Sequence, residues 1–165
     1  MSAGVALRLR DARADEAESL TRIAQASKGA WGYPAEWLAR WRAELTITRE
    51  YLASHTVVVA EDDLGRAVGF AALAEAEGRA ELDHLWVDPP MRGRGIGTAL
   101  LHAIAARAST VVDRIEIQSD PHAAGFYRRA GARPIGSIPA PMPGAPARAL
   151  PMFALERARR ADAAT

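Results

Sequence analysis

Apolar and polar residues alternate over residues 5–11, with Val5, Leu7 and Leu9 set against Ala6, Arg8 and Arg10, which predicts a half-buried strand. The period then lengthens. Asp15 stands where it can cap a helix, Glu16 and Glu18 fall in the first turn, and Leu20, Ile23 and Ala24 form one apolar face ending near Gly29. Pro34 opens a second helix over 35–45, which carries Trp37 and Trp41 one turn apart. A further turn or two is expected over 48–54. Two β-branched runs, 56–61 and 66–73, flank Asp62-Asp63-Leu64-Gly65 and read as a hairpin. Gly78 turns the chain into a strand over 80–87, which Pro89-Pro90 stops. Ile96, Leu100, Leu101 and Ile104 share one face of a helix over 95–108. A short strand at 114–118 and a helix over 121–130 closed by Gly131 follow. Two last strands, 133–138 and 149–155, enclose a Pro-rich loop over 139–146. The order β-α-α-β-β-β-α-β-α-β-β predicts one α/β (α+β) layer fold with a mixed sheet, antiparallel strands consecutive in its middle.

Composition narrows the function classes. The 165 residues suit a single domain, placed at 1–156 with a polar tail at 157–165. There is no cysteine, which excludes a disulfide framework, a thiolate zinc site and a thiol nucleophile. A net charge of +1 from 21 basic and 20 acidic residues speaks against nucleic acid as a partner. No apolar run is long enough to span a bilayer and no secretory leader is recognisable, so no membrane partner and a cytoplasmic location are expected. Lys28 is the sole lysine and asparagine is absent, a bias that reads as base composition rather than function. The four histidines have no metal-ligand spacing, and no metal is expected.

Chemistry concentrates in Glu81-Leu-Asp-His-Leu-Trp-Val-Asp-Pro-Pro-Met-Arg-Gly-Arg-Gly-Ile-Gly-Thr98. Gly93, Gly95 and Gly97 crowd the start of a helix, although each glycine inside a helix costs about 0.5–1 kcal/mol against alanine. Such spacing points to bare backbone that a ligand approaches, with unpaired N–H groups and the positive end of the helix dipole turned toward it. Arg92 and Arg94 add charge, so a phosphate or pyrophosphate is the natural ligand. Neither the P-loop nor the Rossmann glycine pattern fits this spacing.

Arg92-Gly-Arg-Gly-Ile-Gly97 resembles the R/Q-x-x-G-x-G/A signature of the GNAT superfamily of N-acetyltransferases, and Ala123-Ala-Gly-Phe-Tyr-Arg-Arg-Ala-Gly131-Ala132 resembles its second motif. The resemblance runs from about residue 5 to residue 155. It implies a largely antiparallel sheet of six to seven strands flanked by about four helices, and acetyl-CoA or a related acyl-CoA as co-substrate. It assigns the CoA pyrophosphate to the backbone of Gly93, Arg94, Gly95, Ile96, Gly97 and Thr98 with Arg92 beside them. It assigns the pantetheine arm to the main chain of Leu85, Trp86 and Val87, which requires that strand to splay from the one at 114–118. Asp120 stands where relatives often carry a pantetheine-binding asparagine, and an ionised aspartate accepts but does not donate. The resemblance also allows a homodimer.

By the same resemblance Tyr127 is the general acid for the leaving thiolate, while Phe126 reads as a core aromatic flanking the cofactor. Strict alternation puts Glu81, Asp83, Leu85 and Val87 on one strand face and Leu82, His84 and Trp86 on the other. Glu81 and Asp83 are then candidates to take the amine proton. His84 tempts through its near-neutral titration, but that face turns it with Trp86 toward a helix. Trp31, Tyr33, Trp37 and Trp41 cluster in the region that covers the acceptor in this superfamily. Trp31 and Tyr33, on a loop, are the better substrate-binding candidates, with His84 behind them. The expected activity is transfer of acetyl from acetyl-CoA to a small-molecule primary amine by direct attack in a ternary complex. A protein lysine or N-terminal acetyltransferase and a non-catalytic acyl-CoA sensor are the alternatives.

Overall fold

The computed structural model describes residues 6–157, so the start of the predicted first strand (Val5) and the tail from residue 158 lie outside the described residues. Seven strands form one sheet in the order β1-β2-β3-β4-β5-β7-β6: β1 (Arg8–Asp11), β2 (Thr56–Glu61), β3 (Ala67–Ala76), β4 (Arg79–Val87), β5 (Arg114–Gln118), β6 (Arg133–Pro139) and β7 (Ala149–Glu156). Every pairing is antiparallel except β4 with β5. Among the described residues five α-helices flank the sheet: α1 (Ala17–Gly29), α2 (Ala35–Trp41), α3 (Arg49–Ser54), α4 (Ile96–Arg107) and α5 (Ala124–Arg129).

β2 and β3 are buried on both faces, because α1 covers one side of the sheet and α4 the other. Val57, Val59, Phe70 and Ala72 pack with Leu20, Ile23 and Ala24 of α1. Val58, Ala60, Ala71 and Leu73 pack with Ile96, Leu100, Leu101 and Ile104 of α4. Burial of each large side chain in these layers stabilises the fold by about 1.5–3 kcal/mol. At Gly69 a methyl group would stand 2.9 Å from the Trp86 carbonyl oxygen and 3.1 Å from Leu100, so glycine there lets α4 approach the sheet.

Three elements depart from the sequence pattern. The first helix is entered through a 3₁₀ turn (Ala14–Glu16), and Glu16, not Asp15, accepts the free N–H of Arg13 at 2.7 Å. The second helix stops at Trp41 rather than residue 45, since the chain unwinds into turns that drop Leu45 and Ile47 into the α1-side core. The helix over 121–130 is a 3₁₀ turn (Pro121–Ala123) leading into α5. The β3–β4 hairpin turns on Glu77 (φ 52°) and Gly78 (φ 75°), the paired positive angles of a tight two-residue turn.

Candidate active site

Two features of β4 create the site. Only Ala80 and Glu81 pair with β5, opposite Ile115 and Glu116. Beyond them the strands diverge, and the β4 edge from Leu82 to Val87 has no strand beside it on that side. The second feature is a bulge. Leu82 is opposite Leu73 and His84 is opposite Ala72, so Asp83 is the extra residue.

The bulge overturns the strict alternation. Leu82, Leu85 and Val87 pack toward α4, whereas Asp83, His84 and Trp86 turn toward α1 and α3. His84 therefore shares a cavity with Asp83 and Glu81 instead of facing away from them.

That cavity, about 800 Å³, opens where β4 and β5 part. Its walls are Trp31, Trp41, Tyr51 and Trp86 on one side, Tyr127 and Ala123 on another, and the 140–142 loop with Arg148 across the top. Glu81 is exposed on the lining. Asp83 accepts a hydrogen bond from the Tyr51 hydroxyl. Burial and the Asp83 carboxylate push the Tyr51 phenol far above its ordinary range, so Tyr51 is a donor. Trp86 Nε1–H donates to His84 Nδ1 at 2.9 Å, which leaves the neutral ring's proton on Nε2, 4.0 Å from Asp83 Oδ2. Burial lowers the His84 pKa, against the pull of Asp83. In the neutral ring His84 thus turns an N–H toward Asp83.

Tyr127 is 7% exposed, and no described residue hydrogen-bonds its hydroxyl. Among the described residues no buried polar side-chain atom is sealed without a partner, so this hydroxyl meets the cavity that the residue lines. Burial, with the Asp120 charge adding to it, raises the phenol well above its ordinary value and keeps it protonated. Phe126 lies against Gly97, where a methyl would come within 3.2 Å of the ring.

The glycine turn divides its labour differently from the sequence expectation. Gly93 (φ 77°) and Gly95 (φ 80°) are left-handed, and space lies open where their Cβ atoms would be. Gly97 serves packing against Phe126. Among the described residues no protein acceptor meets the N–H groups of Gly93, Arg94, Gly95, Ile96, Gly97 or Thr98; the first to bond back is Ala99, to the Gly95 carbonyl at 3.1 Å. Unpaired N–H groups at a helix start, with the positive end of the dipole behind them, are the kind of backbone arrangement that attracts an anion. Arg92 is held away from it, donating to the carbonyl and hydroxyl of Ser27 at 2.8 Å each and stacking on Trp31 at 5.4 Å. Arg94 is exposed at the rim.

Asp120 is engaged. It accepts from Lys28 Nζ at 2.7 Å, from the Tyr33 hydroxyl at 2.8 Å and from the His122 N–H at 2.8 Å. Burial works to raise its pKa, but the Lys28 ammonium and these donors outweigh it and hold the carboxyl below the ordinary range. Tyr33 stacks on Trp37 (5.7 Å) and meets Trp41 edge-on, and its phenol is pushed up to about 12, chiefly by burial. It stands behind the cavity rather than on its wall. Trp37 donates its indole N–H to the Pro143 carbonyl at 3.0 Å and so ties α2 to the Pro-rich loop. Sequence reasoning missed Tyr51, Lys28 and Arg148. The only signal for Lys28 was its being the sole lysine, and the other two had none.

The comparisons with known proteins agree on one family. Residues 53–131 match the family model "Acetyltransferase (GNAT) domain". The chain is 30% identical over 132 residues to the peptidyl-lysine N-acetyltransferase YjaB of Salmonella typhimurium, covering 79% of this chain and 86% of that one. The Escherichia coli YjaB is 29% identical over 99 residues, 59% of this chain, and the mycothiol acetyltransferase of Clavibacter michiganensis is 40% identical over 81 residues, 47% of this chain. The aligned stretches span 64% and 26% of those two relatives. The fold matches the paia N-acetyltransferase of Thermoplasma acidophilum, solved with coenzyme A, at a TM-score of 0.70 and 18% identity, over 92% of this chain and 99% of that one.

Proposed function

This chain belongs to the GNAT acetyltransferase family, and on that premise we propose that it is an N-acetyltransferase that moves acetyl from acetyl-CoA to the primary amine of a small molecule. One juxtaposition carries the reading. The free edge of β4 and Tyr127 line one aromatic-walled cavity that also holds Glu81 and Asp83, and the same strand runs on through Val87 toward the unpaired N–H groups of residues 93–98.

The thioester supplies the electrophilic carbonyl when bound. The cradle at residues 93–98 would hold the pyrophosphate, and the open edge at Leu85, Trp86 and Val87 would pair with the pantetheine amides. Asp83, fixed by the Tyr51 hydroxyl, and Glu81 are the acceptors for the proton that the amine must shed, directly or through water. His84 Nε2–H, beside Asp83, orients rather than titrates. Tyr127, protonated and facing the cavity, returns a proton to the departing thiolate. With no cysteine in the chain an acyl-thiol intermediate on the protein is excluded, and the reading is direct attack by the amine.

An amine panel screened for thiol release from acetyl-CoA tests the reading, and every thiol detected belongs to the released cofactor because the protein has none. Turnover on at least one small amine supports it; turnover only on lysine-bearing peptides would replace it with the second reading. That second reading, a peptide lysine as acceptor, is favoured by the relatives named as peptidyl-lysine acetyltransferases. Acetyl-CoA binding without turnover on either class would leave the sensor reading.

A further inference from the structure

The cavity lining carries charges of both signs. Asp83, Glu81 and Glu44 are among them, and none of the three forms an ion pair with Lys28 or Arg148. One of the cations comes from the last loop. Arg148, just before β7, points back under the Pro-rich loop and lines the cavity top. Its guanidinium lies 5.1 Å from the Trp41 ring centre, 5.7 Å from Trp37 and 5.9 Å from Tyr33, and it donates to the Ala140 carbonyl at 3.2 Å.

No carboxylate of the described residues lies within ion-pair distance of Arg148. The neighbouring cavity cation differs: Lys28, 4.1 Å from the centre of the same Trp41 ring, is neutralised by Asp120. Arg148 is therefore the one cavity cation without an anionic partner among the described residues. It is held rigid by stacking, and a guanidinium offers a planar fork matched to a carboxylate. Three aromatic rings and a backbone carbonyl position the group without neutralising it. That arrangement suits a residue kept for an anion that arrives from outside.

Resting on the acetyltransferase reading above, we propose that the acceptor is a zwitterion: an amino acid or close analogue whose amine goes to Asp83 and Glu81 and whose carboxylate is bound by Arg148. The carboxylate end sets specificity. A peptide lysine, which offers an amine but no free carboxylate at that reach, leaves Arg148 without its partner.

The test compares free amino acids with their carboxamides as matched pairs (phenylalanine, methionine, leucine and glutamate against the corresponding amides) in the thiol-release assay. Wild-type protein is expected to prefer the acid at least tenfold in kcat/KM for one or more pairs. In Arg148→Gln that preference should collapse through the acceptor KM, with the acetyl-CoA KM held, and Arg148→Lys should restore part of it. Equal use of acid and amide by the wild type overturns the proposal, and so does an Arg148→Gln loss that falls alike on both. If no amine in any panel is acetylated, the acetyltransferase reading fails separately. Calorimetric binding of the same acids and amides to wild type then decides the matter: binding that needs the carboxylate supports the Arg148 site, and binding indifferent to it, or none, removes it.

Discussion

The turn at residues 93–98 and the cavity beside β4 are built from different material. The turn is backbone: residues 93–98 are contiguous, their N–H groups meet no protein acceptor among the described residues, and two left-handed glycines shape it. The cavity is side chains drawn from α1, the loop after it, α2, α3, β4 and the β6–β7 loop. Most of those side chains already have partners: Asp120 with Lys28 and Tyr33, Asp83 with Tyr51, His84 with Trp86. A backbone site depends on local conformation and tolerates little change at its glycines. A side-chain site depends on charge balance and contacts spread through the fold, so its selectivity can change by one residue while the frame persists.

Substitutions can break that contrast. The largest effect is expected from Gly95→Glu, which puts an L side chain at φ 80° and a negative charge into the proposed phosphate cradle. Calorimetry should show acetyl-CoA affinity lowered at least ~100-fold, with circular dichroism still that of a folded chain; retained affinity would mean that the row of N–H groups is not the anion site. On the other side, Asp120→Asn keeps the shape and leaves the Lys28 ammonium buried without its partner. Denaturant unfolding should register a loss of about 3 kcal/mol, and a neutral outcome would show that Lys28 sheds its proton instead.

Tyr127→Phe comes next. Since a positioned acid is worth about 10²–10⁴ in rate, kcat should fall at least ~10-fold with acetyl-CoA affinity kept, and an unchanged kcat would move the acid role elsewhere. The smallest effect belongs to Trp37→Phe, which removes one hydrogen bond to Pro143 and should cost about 1 kcal/mol in unfolding.

Acid sharpens the comparison further. Asp120 has a folded-state pKa below its unfolded value near ~4, so its stabilising contribution is complete above that pH. It is lost as pH falls below ~4 toward the folded value, because the unfolded chain then binds the proton more readily. A melting-temperature series should steepen there in wild type and flatten in Asp120→Asn. A series with the same slope in both would assign the acid sensitivity to other carboxylates.

Much of the frame could be read from the residues. The strand and helix order follows from hydrophobic period, and the hairpin at Gly78 and the stops at Pro89-Pro90 and Gly131 follow from backbone preferences. The glycine turn could also be read, though only the coordinates divide it into two conformational glycines and one that packs on Phe126. The strand face of His84 could not. One extra residue in β4 reverses the alternation after Asp83, and a bulge is fixed by the register against Ala72 and Leu73, which no local pattern records.

What the sequence determined by itself was whatever a residue imposes on its own backbone and near neighbours: the elements, the turn at residues 93–98, and the absence of a protein thiol. What only the tertiary structure decided was which polar and charged groups meet across long separations. Lys28 meets Asp120, Tyr51 meets Asp83, and Arg148 meets three aromatic rings and, among the described residues, no carboxylate. The physical reason is range. A backbone preference is spent within one turn of chain, whereas an ion pair forms between any two groups that folding brings within a few ångströms, and the sheet order that brings them there belongs to the whole chain.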